Sequence, residues 1–152
     1  MPTMQRLADN GLTYTQWHTT ALCSPTRSCF LTGRNHHQNG FAQIAEGAQG
    51  FPGHTGHVPM ENATMAEVLR ENGWNTFWVG KNHNVPVDEW AMGATKRNWP
   101  LARGFDRFYG FIGGETPSGT RTWSRTTIPS TSPTCQKTAI TSPRTWPTRP
   151  SR

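Results

Sequence analysis

Apolar positions divide the chain into short segments of changing period. In "PTMQRLADNG", Met4, Leu7 and Ala8 recur at helical spacing behind Pro2 and Thr3, and Gly11 follows Asn10 as a stop. "LTYTQWHTT" alternates instead and is rich in threonine and aromatic residues, the pattern of a strand. A second helix is expected near Pro25, because proline is tolerated in a first turn. "NHHQNGFAQIAEGAQGFPGHTGHVP" keeps neither period and is dense in Gly, His and Asn, so it reads as a loop. The clearest helix lies in "NATMAEVLRENG". There Thr64 and Glu67 form a capping box, Met65, Val68 and Leu69 make one apolar face, and Gly73 ends it. "WNTFWVG" follows as a buried strand leading into Lys81, and "VDEWAMGATKRNWPLARGFDRFYGF" as an aromatic-rich connection back to the sheet. Alternating helices and strands of this kind predict an α/β fold with a mainly parallel sheet.

Composition changes that picture at one place. The 152 residues leave room for one domain at most, and only 33% are apolar. Residues 1–116 carry nine Lys/Arg and nine Asp/Glu, so the net charge of +6 resides wholly in residues 117–152. Of those 36 residues, 22 are Pro, Ser or Thr, and none is acidic. Such a low-complexity basic tail has no helical or strand period and is expected to be disordered. A basic balance ordinarily suggests nucleic acid or an acidic membrane. Here it describes the tail alone, and neither partner is expected. No apolar run approaches the ~20 residues of a membrane span. No basic stretch followed by an apolar one marks a secretory signal, so cytoplasmic is the default expectation for location.

Three cysteines do not form a disulfide framework. Cys23 and Cys29, on one helix, would stand about 9 Å apart along its axis, beyond the ~7 Å limit for a bridge. Alone, a free cysteine is usually a small core hydrophobe, and Lys81 with His83 would be a solvated pair at a strand end. His36, His37, His54 and His57 offer no convergent tetrahedral set in so Gly-rich a loop, so zinc is not expected.

Register alters the reading of Cys23. "CSPTRSCFLTGR" resembles the signature of the type I sulfatases, Cys-x-Pro-x-Arg followed by Thr-Gly-Arg, and "WNTFWVGKNH" resembles their second signature, a strand ending in Gly-Lys-x-His. "NHHQNGF" and "ATMAEVLRENGW" stand where that family has its connecting loop and helix, and "GFDRFYGFIGGET" is similar to the end of the block in bacterial arylsulfatases. The resemblance covers roughly residues 2–116. It implies a partial alkaline-phosphatase-like fold in residues 1–116, the N-terminal part of a catalytic domain. It also implies oxidation of Cys23 to formylglycine by a separate formylglycine-generating enzyme that reads Cys23, Pro25 and Arg27. Hydrated, that aldehyde offers two hydroxyls on one carbon, one to attack sulfur and one to expel sulfate.

Site roles follow from the same resemblance. Arg27, one turn along from Cys23, holds a hydroxyl or neutralises the anion. Lys81 binds a sulfate oxygen, and His83 orients the nucleophile. Arg34, with Thr32 and Gly33, holds the loop around the modified residue. A helix N-terminus at Cys23 suits an anionic group. The family also binds calcium, or magnesium, to which Cys23 contributes as formylglycine. The other metal ligands, a further His and a further Lys are expected outside this sequence, because "MPTMQRLADNG" corresponds to a point beyond the family's first strand and its Asp pair. Asn82 and Asn84 depart from the aromatic and apolar residues that usually flank the His.

The tail admits a second frame. Codons legal for Ser118 to Thr127, read one nucleotide earlier, spell Gln-Trp-Tyr-Pro-Asp-Leu-Val-Glu-Asp-Asn, similar to the family's continuation after "GGET". Residues from about 117 onward are therefore expected to be out-of-frame translation. The expected activity is hydrolysis of a small sulfate ester, absent from the isolated chain, which is expected to fold poorly. The alternatives are a phosphonate monoester or phosphodiester hydrolase of the same superfamily, and a non-catalytic protein that binds through its basic tail.

Overall fold

The capping box at Thr64 is a sequence signal with a full structural counterpart. In the computed structural model, which describes residues 1–91 and 93–115 and the backbone of 124–127, the backbone N–H of Glu67 donates to Thr64 Oγ1 at 3.2 Å. The Thr64 N–H returns a bond to Glu67 Oε2 at 2.6 Å. Two of the N–H groups that a helix start leaves unpaired are thus satisfied reciprocally. The helix they begin spans Met65–Glu71. Two others precede it: α1, Pro2–Asp9, and α2, Cys23–Thr32, so that Met65–Glu71 is α3. α2 ends where Gly33 turns left-handed at φ 68° and its N–H reaches Cys29 O at 2.8 Å. Glycine adopts that conformation without a Cβ penalty.

Three strands follow. β1 (Phe77–Lys81) pairs in parallel with β2 (Arg107–Phe111), Phe77 opposite Arg107 and Lys81 opposite Phe111. β3 (Ser124–Thr127) pairs antiparallel with β2, Gly110 opposite Ser124. The order β1-β2-β3 leaves β1 at an edge of the described sheet. α3 and the connection 82–106 flank the parallel pair, so the α/β character expected from the alternation holds. The expected disorder and reading frame of residues 117–152 lie outside the described residues, except that 124–127 form a strand. A Ser-Arg-Thr-Thr segment suits β geometry once an unpaired strand edge is available.

Two further expectations fail. "LTYTQWHTT" forms no strand: residues 12–20 join no ladder, and Leu12, Tyr14 and Trp17 are exposed. Alternation makes a strand only where a partner supplies hydrogen bonds and a face to bury. β1 is not buried either, since Phe77 and Val79 point to an open face and Val79 is 77% exposed. Its other face is packed. Trp78 meets Phe105 edge to face at 4.9 Å, and both join Leu31 of α2 and Ala66 of α3 in one small core. A second core holds Phe41, Ala45 and Val58.

Arg103 joins α3 to the long connection. Buried to 5% exposure, it donates to Asn62 O at 2.7 Å and Val58 O at 3.1 Å. Its Nε lies 3.5 Å from Glu67 Oε1, and its own carbonyl accepts from Thr64 Oγ1 at 2.8 Å. The next residue, Gly104, sits at φ 91° against the start of α3, where a β-carbon would stand 2.7 Å from Glu67 Cα. Backbone cannot yield as a side-chain tip can. Gly104→Ala should therefore cost at least about 2 kcal/mol from the left-handed strain plus the clash, read as a lowered urea midpoint of the 152-residue chain. An unchanged midpoint would show that this contact does not constrain the fold.

Candidate active site

α2 begins at Cys23, after Leu22 in extended geometry (φ −125°, ψ 157°) with no side-chain cap. Its leading N–H groups have no partner within the helix, and Pro25, fully buried, has none to satisfy. Thr26 N–H closes the first turn on Leu22 O at 3.2 Å. The half-buried Cys23 side chain thus stands at the positive end of the helix.

His83 reaches Cys23 from the far side of the fold. β1 continues past Lys81 as a ladder, with Asn82 N–H to Phe111 O and His83 N–H to Ile112 O, each 2.9 Å. His83 then turns to φ 60°, the only non-glycine at positive φ among the described residues. A bulky residue holds this geometry only when its surroundings over-determine it, and four contacts do so. Beyond the N–H bond, its carbonyl accepts from Ser24 Oγ at 2.7 Å. Nδ1 lies 2.9 Å from Cys23 Sγ, and Nε2 lies 2.7 Å from Glu46 Oε2. The ring is 3% exposed. Gly114 lies flat against it, since a β-carbon there would come within 2.6 Å of Cε1 and 2.8 Å of Nε2.

Glu46 is one of two residues at this site that spacing did not reveal. It is nevertheless the only acid between Asp9 and Glu61. A lone carboxylate in a loop dense in Gly and His was the available signal. Burial pushes its carboxyl up, but the hydrogen bond and charge of His83, with backbone donors including Gly114, hold it below its ordinary 4.5. By linkage, its contribution to stability is present above pH 4.5 and lost as pH falls through the lowered folded value. Ser24 is the other. Fully buried, it also accepts from Ala45 N–H at 3.3 Å, and its carbonyl accepts from Asn84 Nδ2 at 3.0 Å. Asn84, one of the two departures beside the His, thus bonds to α2.

The remaining residues are only partly assembled. Arg27 Nη1 donates to the backbone carbonyl of Lys81 at 2.8 Å, tying α2 to β1. Lys81 is half-buried, and its carbonyl also accepts from Trp78 Nε1 at 3.2 Å. Lys81 and His83 do not continue one extended strand, because His83 has left β geometry. Arg34 is exposed beyond the opposite end of α2 from Cys23, so it does not enclose residue 23. Instead, Thr32, Gly33 and Arg34 form the helix exit. Asn39, fully buried, secures that exit by donating to Thr32 Oγ1 at 2.8 Å and Ser28 O at 3.1 Å.

A cavity of about 840 Å³ lies between α2 and β1, with Phe30, Leu31, Phe77 and Val79 as apolar walls and Arg27 and Lys81 also lining it. Neither Cys23 nor His83 lines it. It adjoins the polar cluster and is not the place where Cys23 and His83 meet.

The sulfatase family profile matches residues 1–141. An uncharacterised sulfatase of Schizosaccharomyces pombe is 34% identical over 120 residues, covering 74% of this chain and 20% of that protein. The steryl-sulfatase of Mus musculus is 40% identical over 114 residues (72% and 18%), and the arylsulfatase of Klebsiella aerogenes 30% over 117 (76% and 24%). The crystal structure of Ps i-CgsB shares 34% identity over 61% of this chain and 18% of that one, with a TM-score of 0.44. The chain thus spans about a fifth of the length of the relatives it matches.

Ser24→Ala tests the pinning of His83. It strips a buried carbonyl of its donor, which should cost about 1–3 kcal/mol, read by urea unfolding. A loss below a few tenths of that range would show that the Ser24 bond does not hold His83.

Proposed function

Since the chain belongs to the sulfatase family, we propose that the complete protein hydrolyses sulfate esters, with residue 23 as nucleophile after conversion of Cys23 to formylglycine. One observation carries this reading: Cys23 and His83, from motifs 60 residues apart, meet at 2.9 Å at the start of α2. Cys23 fits the modification, being half-buried at a helix N-terminus with a ring nitrogen against its sulfur. As formylglycine, residue 23 supplies an aldehyde hydrate, two hydroxyls on one carbon. A formylglycine-generating enzyme is the partner this requires.

The chain's own groups then divide the work. The free N–H groups of α2 and its positive end attract the anionic ester. Lys81, beside Arg27, contributes a cation for a sulfate oxygen. Arg27 fixes the end of β1 through the Lys81 carbonyl, so its first effect is to position Lys81. His83 faces the nucleophile with Nδ1 and takes its proton there. The divalent cation expected of the family finds no ligand set here. Among the described residues no three His, Cys, Asp or Glu side chains are grouped so as to hold a metal ion.

In the complete protein, His83→Ala and Lys81→Ala should each lower kcat for an aryl sulfate by roughly 10²–10⁴-fold, while the 152-residue chain alone should show no turnover. Unchanged kcat in both variants would refute the assignment. Faster turnover of a phosphonate monoester or phosphodiester than of the sulfate would favour the sister activity.

A further inference from the structure

The roles given so far leave Glu46 unassigned, yet the fold goes to some length to place it. The turn Ala45–Gly47 that carries it is closed by a bond from Gln43 Nε2 to Gly47 O. It is anchored by Ala45, fully buried against Phe41 and Val58, whose N–H donates to Ser24 Oγ. Ser24 therefore binds the backbone of His83 and the backbone beside Glu46 with one hydroxyl. The two partners of the ring are registered to each other through α2.

We propose that Glu46 is the positioning residue of the site, fixing the tautomer and plane of His83. An ionised carboxylate can only accept hydrogen bonds. At 2.7 Å from Nε2, it requires the ring proton to sit on Nε2. In the neutral imidazole Nδ1 is then bare and faces residue 23 as an acceptor. When the nucleophile's proton moves to Nδ1, the ring becomes a cation, and the Glu46 carboxylate offsets the new charge without changing its own protonation. Without Glu46 the ring is free to carry its proton on Nδ1, where it donates to residue 23 and cannot accept. Glu46 lies on the opposite edge of the ring from Cys23, so it acts only through His83. The role rests on the reading of His83 as the group serving the nucleophile. Gly114 completes the arrangement against the ring, where a Cβ has no room.

The test separates the two layers. Long-range ¹H–¹⁵N spectra of the histidine-labelled chain should show His83 as the Nε2–H tautomer. Glu46→Ala, whose side chain is 40% exposed, should populate the Nδ1–H form, and Glu46→Gln, which keeps an acceptor oxygen, should retain Nε2–H. In the complete protein Glu46→Ala should lower kcat roughly 10²-fold or more with KM moved far less, and Glu46→Gln should recover part of it. Unchanged tautomer in Glu46→Ala, or unchanged kcat there while His83→Ala loses turnover, overturns the role. If the tautomer moves in Glu46→Ala while His83→Ala retains full turnover, the positioning stands and the reading of His83 as catalytic falls.

Discussion

A histidine at φ 60° is costly backbone, of order 1–3 kcal/mol, and much of this structure is arranged to hold it there. The parallel ladder delivers it, because the N–H groups of Asn82 and His83 extend the β1–β2 pairing beyond the last residue of β1. α2 then catches it through the Ser24 hydroxyl. The left-handed turn is what aims the ring at Cys23; extended backbone would send alternate side chains to opposite faces of the sheet. Gly114 and Glu46 close the remaining two sides. Each of these contacts joins segments remote in sequence, so the site exists only when sheet, helix and loop are all in place.

Legibility from sequence followed the range of the interaction. The capping box of α3 depends on residues three apart and was readable residue by residue, whereas Thr32, Gly33 and Arg34, read as support for the loop at residue 23, form the exit of α2 instead. Cys23 and His83 were readable because their motifs resemble those of a known family; periodicity alone would have left each as an ordinary core or surface residue. Glu46 was not legible, since its partner is 37 residues away and joins it through an irregular loop. The same limit explains the two failures of pattern. Residues 12–20 alternate but find no ladder, and the apolar run of β1 buries one face only, because pattern records what a segment is able to bury and not whether a neighbour is present.

The apolar cavity and the polar cluster divide the molecule's α2–β1 face into two regions of different character. Phe30, Phe77 and Val79 are exposed, and β1 is an edge of the described sheet. Cys23, His83 and Glu46 are drawn aside from the cavity, with Arg27 and Lys81 at the junction. Kept out of the apolar region, the Cys23 thiol meets His83 Nδ1, and the other ring nitrogen meets Glu46.

The most direct measurement of the central claim, that residue 23 delivers the nucleophile, is the mass of its peptide. The complete protein, produced with a formylglycine-generating enzyme, should yield a peptide in which the sulfur and two hydrogens of Cys23 are replaced by one oxygen. Sulfate-ester turnover should track the converted fraction. Full turnover by protein whose Cys23 peptide retains its thiol would contradict it.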